Sequence, residues 1–158
     1  MPREWEEKLI KEIENMDWWR VPGYMYNLDD DSHTKSVCLA AVNKNPYSIE
    51  YVKNQAPEIC LAAVKRYGFL LEYIKQPTGK VRLEALKNCG LMLGYVDKQT
   101  EEMCMLAVKE NGNALQYVKN PTPEICLAAV AQDGYSIEYV PKELLTGQLP
   151  RPVKGRGL

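Results

Sequence analysis

The chain has 158 residues, 46% hydrophobic and 26% charged, the ordinary balance of one globular domain. A formal net charge of −1 is lower than a nucleic-acid binder usually carries. No apolar run approaches the roughly 20 residues that cross a bilayer, and the N-terminus lacks a basic segment followed by an apolar stretch, so a cytoplasmic location without membrane contact is expected.

Residues 3–16 place Trp5, Leu9, Ile13 and Met16 along one face of a charged helix. Gly23, Tyr24, Met25, Tyr26 and Leu28 follow as a degenerate second helix. Residues 1–33 are therefore expected to form a divergent N-terminal capping repeat. Asp29, Asp30, Asp31 and His33 close this segment. Clustered carboxylates bind hard cations, but the spacing matches no calcium loop, and the expectation is a solvated acidic linker with no metal.

From Thr34 the chain is periodic. Tyr51, Tyr73, Tyr95, Tyr117 and Tyr139 recur every 22 residues without insertion or deletion. Val42, Val64, Leu86, Val108 and Val130 keep the same step, as do Leu39, Leu61, Leu83, Met105 and Leu127. A cysteine column at Cys38, Cys60, Cys104 and Cys126 is broken only by Arg82. A fixed period of this length is the signature of a stacked array in which each unit completes its neighbour's core.

The fifth repeat shows the unit most clearly. Thr122 suits an N-cap, Pro123 the first helical position and Glu124 the positive end of the helix dipole. An unbroken apolar run to Ala131 follows. The glycine column at Gly68, Gly90, Gly112 and Gly134, with Pro46 in the first repeat, is expected to stop the helix in a left-handed turn. The second segment of each unit decides the fold class. Ile137 and Tyr139 alternate around Glu138 like a strand, and leucine-rich repeats have units of similar length. Against this, Leu70, Leu71, Met92, Leu93, Ala114 and Leu115 favour helix, and the apolar columns at Ile49 and Val52 lie three residues apart. The expected fold is all-α, an α-solenoid of five 22-residue helix-pair repeats over 34–145. Residues 146–158, rich in Pro and Gly, are expected to form an extended or disordered basic tail.

Units reading Cys-Leu-Ala-Ala-Val, then Gly, then Glu-Tyr-Val or Glu-Tyr-Ile, as at 60–74 and 126–140, resemble a family of short bacterial and viral repeat domains of unknown function. The resemblance covers 34 to about 143. It implies a helical repeat scaffold of bacterial or phage origin and brings no catalytic residues. Arg82, Gly79 and Gly94 make the third repeat the most divergent.

Packed helices lie about 8 to 10 Å apart, too far for disulfides between column cysteines, whose Cα atoms would have to lie within about 7 Å. With no histidine alongside for zinc, the cysteines are expected to be reduced core residues, Cys89 being the one outside the column. No nucleophile with a paired base and no phosphate-cradling loop appears, so neither enzymatic activity nor a cofactor is expected. The tyrosine ladder is best explained by ring packing across helix junctions.

Charge is divided unevenly: residues 1–31 hold nine acidic and four basic side chains, net −5, and the remainder twelve and sixteen, net +4. Lys44, Lys65, Arg66, Lys87 and Lys109 near the ends of successive first helices form a basic edge that also complements the helix dipoles. The leading functional expectation is a non-enzymatic protein-binding module, an adaptor or an inhibitor directed at a host protein if the source is a phage. The competing reading is an RNA or DNA binder that uses the lysine edge and the basic tail. A homodimer stays open. The expected partner surface is Phe69, Leu70, Leu91 and Met92 with Lys65 and Arg66, because two repeats carry large apolar residues where their sisters carry Ser48, Ala114 and Ser136. Arg82 and Asp97, both departures from their columns in one repeat, are expected to pair.

Overall fold

The computed structural model describes residues 3–146; the expected tail lies, apart from Thr146, outside the described residues. Among them every element is helical. The N-terminal cap is α1 (Glu4–Asn15), a short 3-10 turn (Trp18–Arg20) and α2 (Val21–Asn27). Five ten-residue helices open the repeats: α3 (Lys35–Lys44), α4 (Pro57–Arg66), α5 (Gly79–Asn88), α6 (Glu101–Glu110) and α7 (Pro123–Gln132). Each is followed by a six-residue 3-10 helix, at Pro46–Tyr51, Gly68–Tyr73, Gly90–Tyr95, Gly112–Tyr117 and Gly134–Tyr139. A single turn, α8 (Lys142–Leu145), follows the last. Neighbouring units pack helix on helix in chain order, and α1 packs on α3 as a preceding repeat would. The chain is an all-α repeat solenoid.

The first helices begin where the caps lie. Thr34, Thr78, Thr100 and Thr122 each accept a hydrogen bond on Oγ1 from the backbone N–H three residues on, at 3.2–3.4 Å. In the second repeat Ala56 stands in this column and provides no side-chain cap; Pro57 alone marks the start. The Glu6 carboxylate of α1 accepts from Thr34 Oγ1 at 2.6 Å, fastening the cap to the first repeat, and this bond holds Glu6 below the usual carboxylate range.

The second helices are 3-10 rather than α, and the sequence explains it. A 3-10 helix has three residues per turn, so positions i, i+3 and i+6 eclipse. Pro46, Ile49 and Val52 lie on such a line and are all buried, as are Gly68, Leu71 and Ile74, and the matching residues of the next two repeats. Six residues is long for a 3-10 helix. Here the buried line, rather than intrinsic preference, sustains it.

The column glycines do not stop the first helices in a left-handed turn. The residue after each helix is extended, with φ between −140° and −157°, and no column glycine has a φ in the left-handed region. The glycine answers a close approach instead. A Cβ on Gly68, Gly90 or Gly112 would run into the backbone carbonyl of Ala85, Ala107 or Ala129 in the following repeat. Those alanines belong to a second 22-residue column, fully buried from Ala41 to Ala129. Side chains at the ends of the first helices then tie each repeat backwards. Arg66 Nη1 donates to Asn43 O at 3.0 Å, Gly90 N donates to Glu110 Oε2, and Gly112 N to Gln132 Oε1 at 2.6 Å.

Two expectations for the cap need correcting. Trp5 does not seat in the core; it is partly exposed, with the Arg3 guanidinium 4.8 Å from its ring centroid. His33 is not in a solvated linker. It is buried, its Nδ1 4.0 Å from Cys38 Sγ, because it falls in the inter-repeat column that Gln55 and Gln99 occupy later. The aspartates before it have local roles: Asp29 Oδ1 accepts from Ser32 N at 2.9 Å, and Asp30 pairs with Lys53.

Candidate protein-binding surface

The richest exposed surface lies where the first helices end and the 3-10 helices begin, between the cap and the second repeat. Asn45, Asn111 and Asp133 cap their 3-10 helices, each accepting from the N–H two residues on at 3.0–3.1 Å. In the second and third repeats this column holds Tyr67 and Cys89, and the helices after them have no side-chain cap. The phenol ring stands partly in solvent instead. Tyr67 stacks on Phe69 with ring centroids 5.7 Å apart and planes at 29°, and Tyr47 leans on both at 5.9 Å. Aromatic pairs in this range are mutually stabilising, so the cluster is pre-ordered.

Cations border the rings. The Arg66 guanidinium carbon lies 6.0 Å from the Tyr67 ring centroid, at the outer reach of a cation–π contact. Lys44 Nζ donates to Glu14 O at 2.8 Å, and Asn45 Nδ2 to Trp18 O at 2.9 Å, which fixes the cap turn beside the cluster. The Trp18 side of this turn is open, with 62% of the residue exposed. Trp18, Lys44, Asn45, Pro46, Tyr47, Arg66 and Tyr67 line a shallow depression of about 280 Å³. It offers flat apolar faces and two cationic side chains.

The residues singled out from the sequence divide. Phe69 and Arg66 belong to the cluster, and Lys65 is exposed beside them at the end of α4. Leu91 continues the strip in the Tyr47 and Phe69 column and is half-buried, as is Met92. Leu70 is wholly enclosed, as are Ser48, Ala114 and Ser136 in its column, all at 0% exposure, whereas Met92 in the same column is half-buried. Leu70 therefore cannot touch a partner. Its size answers packing between repeats. Arg82 and Asp97 do not form an ion pair among the described residues, where three such pairs occur. Arg82 is only half-buried, so its long side chain can carry the charge to water. The Asp97 carbonyl accepts from Lys119 Nζ at 2.8 Å. Trp18, Tyr47 and Tyr67 were not singled out. The one available signal was Tyr67, the aromatic residue in a column where Asn45, Asn111 and Asp133 cap their helices.

The remaining candidates are structural. Tyr117 packs its ring over Gly94 of the preceding repeat, where a Cβ would meet Cδ1 at 3.1 Å, and Tyr26 closes the ladder edge-on against Tyr51 at 5.8 Å. Tyr95 is 56% exposed and contributes least to packing. The column cysteines are buried free thiols, and burial pushes Cys38 up to about 11 and raises Cys60, Cys104 and Cys126, which disfavours the reactive thiolate. No group of His, Cys, Asp and Glu among the described residues has the arrangement of a metal site. No helix among them is long and apolar enough to cross a membrane.

With the surface described, comparison with known proteins adds one finding. Residues 80–121, covering most of the third and fourth repeats, are similar to a domain of unknown function, DUF4116. No curated protein and no solved structure matches the chain.

Proposed function

We propose that this chain is a non-enzymatic protein-binding repeat module, an adaptor or an inhibitor, which grips a partner segment along the Trp18–Tyr47–Tyr67 edge. The observation that carries the reading is Tyr67. It gives up a helix cap worth about 1 kcal/mol in order to stand as an exposed ring in a pre-ordered aromatic cluster. A capping residue replaced by a ring that builds a partly exposed aromatic cluster marks a candidate functional position. Aromatic residues and Arg dominate protein interfaces, with flat rings providing contact area at little entropic cost. The partner segment that fits carries apolar side chains for the depression and one or two carboxylates for Lys65 and Arg66. A nucleic-acid strand fits less well: the rings stack on one another rather than standing apart to receive bases, and the neighbouring cap has net charge −5 over residues 1–31. An inhibitor aimed at a host protein would suit the phage origin that the family resemblance implies.

The test is capture from nuclease-treated extract of the native host, with wild type, Tyr67→Ser and Trp18→Ser as parallel baits. A protein retained by wild type at raised salt should be lost from both variants, its affinity falling roughly 30-fold, as for an interface residue worth about 2 kcal/mol. Equal retention by the variants would remove the site from this edge. A nucleic-acid ligand whose binding collapses with salt would overturn the reading.

A further inference from the structure

Lysine recurs in one column of the first helices. Lys65, Lys87 and Lys109 stand 22 residues apart in successive repeats, and all three are exposed. The column holds Asn43 in the first repeat and Ala131 in the last, so the row ends after three cations. Four residues further along each unit lies the row of Tyr47, Phe69 and Leu91, which carries the aromatic cluster into the third repeat. Where the first helices of repeats one to four give way to their 3-10 helices (43–47, 65–69, 87–91 and 109–113), five side chains are basic and one, Glu110, is acidic. Glu110 is already engaged by the Gly90 N–H. Lys87 Nζ lies 3.7 Å from Glu84 Oε2, a loose pair near the surface and of little strength. Both flanks of this basic strip are acidic: the cap has net charge −5 over residues 1–31, and Asp133 stands at the corresponding place in the last repeat.

The spacing of the row selects the conformation of what it binds. Packed helices lie about 8 to 10 Å apart, so cations placed one per repeat are separated by roughly that distance. A polyproline II segment has three residues per turn and rises about 3.1 Å per residue, so its positions i, i+3 and i+6 share one side at intervals of about 9 Å. An extended strand turns residues three apart to opposite sides. An α-helix has its carbonyls satisfied internally. Polyproline II leaves them free, and the Trp18 indole N–H and the Tyr47 and Tyr67 hydroxyls around the depression are donors for them. Flat aromatic surfaces are also what proline-rich segments dock on. We propose that the edge takes an acidic, proline-rich segment in the polyproline II conformation, with one carboxylate on each of Lys65, Lys87 and Lys109 and its prolines over Tyr47, Phe69 and Leu91. The inference rests on the aromatic edge being a protein-binding site and specifies the partner of that site. The acidic flanks fix its register, since a carboxylate shifted beyond the lysine row meets the cap or Asp133.

Titration of a fluorescein-labelled peptide of four Glu-Pro-Pro triplets with the full chain, read by anisotropy at low salt, tests this. The peptide should bind about tenfold more tightly than one of the same composition with its glutamates gathered in a block, and a Lys-Pro-Pro counterpart should not bind. Lys87→Gln and Lys109→Gln should each weaken binding about fivefold, as for an ion pair at an interface rim, and Tyr67→Ser should weaken it as well. Lys75→Gln, beyond the far end of the second repeat's 3-10 helix, should leave it unchanged. All these lysines are exposed, so the variants should melt like wild type. Failure of the Glu-Pro-Pro peptide to bind, equal binding of the blocked peptide, or an equal loss with Lys75→Gln would overturn the inference, as would tighter binding of a single-stranded oligonucleotide through the same lysines. A host protein captured through Tyr67 by a chain that ignores the Glu-Pro-Pro peptide would overturn this inference and leave the aromatic edge standing. Peptide binding that needs the lysines but not Tyr67 would overturn both.

Discussion

Replacing Gly90 by alanine should cost about 3 kcal/mol of stability, at the upper end of what overpacking usually costs, while the same change at Gly134 should cost nothing. The added methyl at Gly90 would meet the Ala107 carbonyl of the next repeat. Backbone cannot rotate away as a side-chain tip can. To accept it the third and fourth repeats must move apart, which would also stretch the bond from Gly90 N to Glu110 and loosen the buried line of Leu93 and Val96. At Gly134 the following position is open, and its φ is not left-handed. There alanine restricts the unfolded chain and should stabilise by about 0.5 kcal/mol. Urea unfolding of the two variants measures both values. A Gly90→Ala protein as stable as wild type would show that the junction is not tightly closed.

Leu70→Ser should destabilise by about 4 kcal/mol, combining a large-to-small core change with burial of an unpartnered hydroxyl. Two sister repeats carry serine in this column, and the Ser48 and Ser136 hydroxyls are themselves buried without partners. Their surroundings are closed around a small side chain. The second repeat is closed around a leucine, so serine would leave a cavity. Met92→Ser should cost clearly less, because Met92 is only half-buried. Thermal unfolding measures the difference; a Leu70→Ser protein with wild-type stability would return the residue to the surface.

Periodicity alone carried the fold a long way. A strict 22-residue step specifies stacking, and the three-residue spacing of Ile49 and Val52 already holds the 3-10 geometry, since eclipsed positions require that period. The glycine column was visible in sequence but its cause was not: a helix stop and a backbone contact both select glycine, and only the position of Ala85, Ala107 and Ala129 decides between them. The inter-repeat column of Gln55 and Gln99 was equally hidden. Gln55 Nε2 donates to Ile49 O at 3.1 Å and Tyr73 O at 2.8 Å, spanning two repeats, but Pro77 and Pro121 alternate with the glutamines and mask the pattern. Size was a poor guide to the surface. Leu70 stands out in its column as Tyr67 does in its own, yet one is enclosed and the other exposed, because Tyr67 follows α4 at the edge and Leu70 points inward from the next turn.

The central claim is that cap and repeats form one continuous stack, whose fixed columns hold the aromatic edge in place. Trp5, Trp18 and Trp19, the chain's three tryptophans, all lie in the N-terminal cap, so fluorescence reports the cap while far-ultraviolet circular dichroism reports helices throughout. Urea unfolding should give coincident transitions by the two probes, as expected when each repeat completes its neighbour's core. A fluorescence transition clearly separated from the loss of helix would show that the cap and the array unfold independently, and would contradict a single stack.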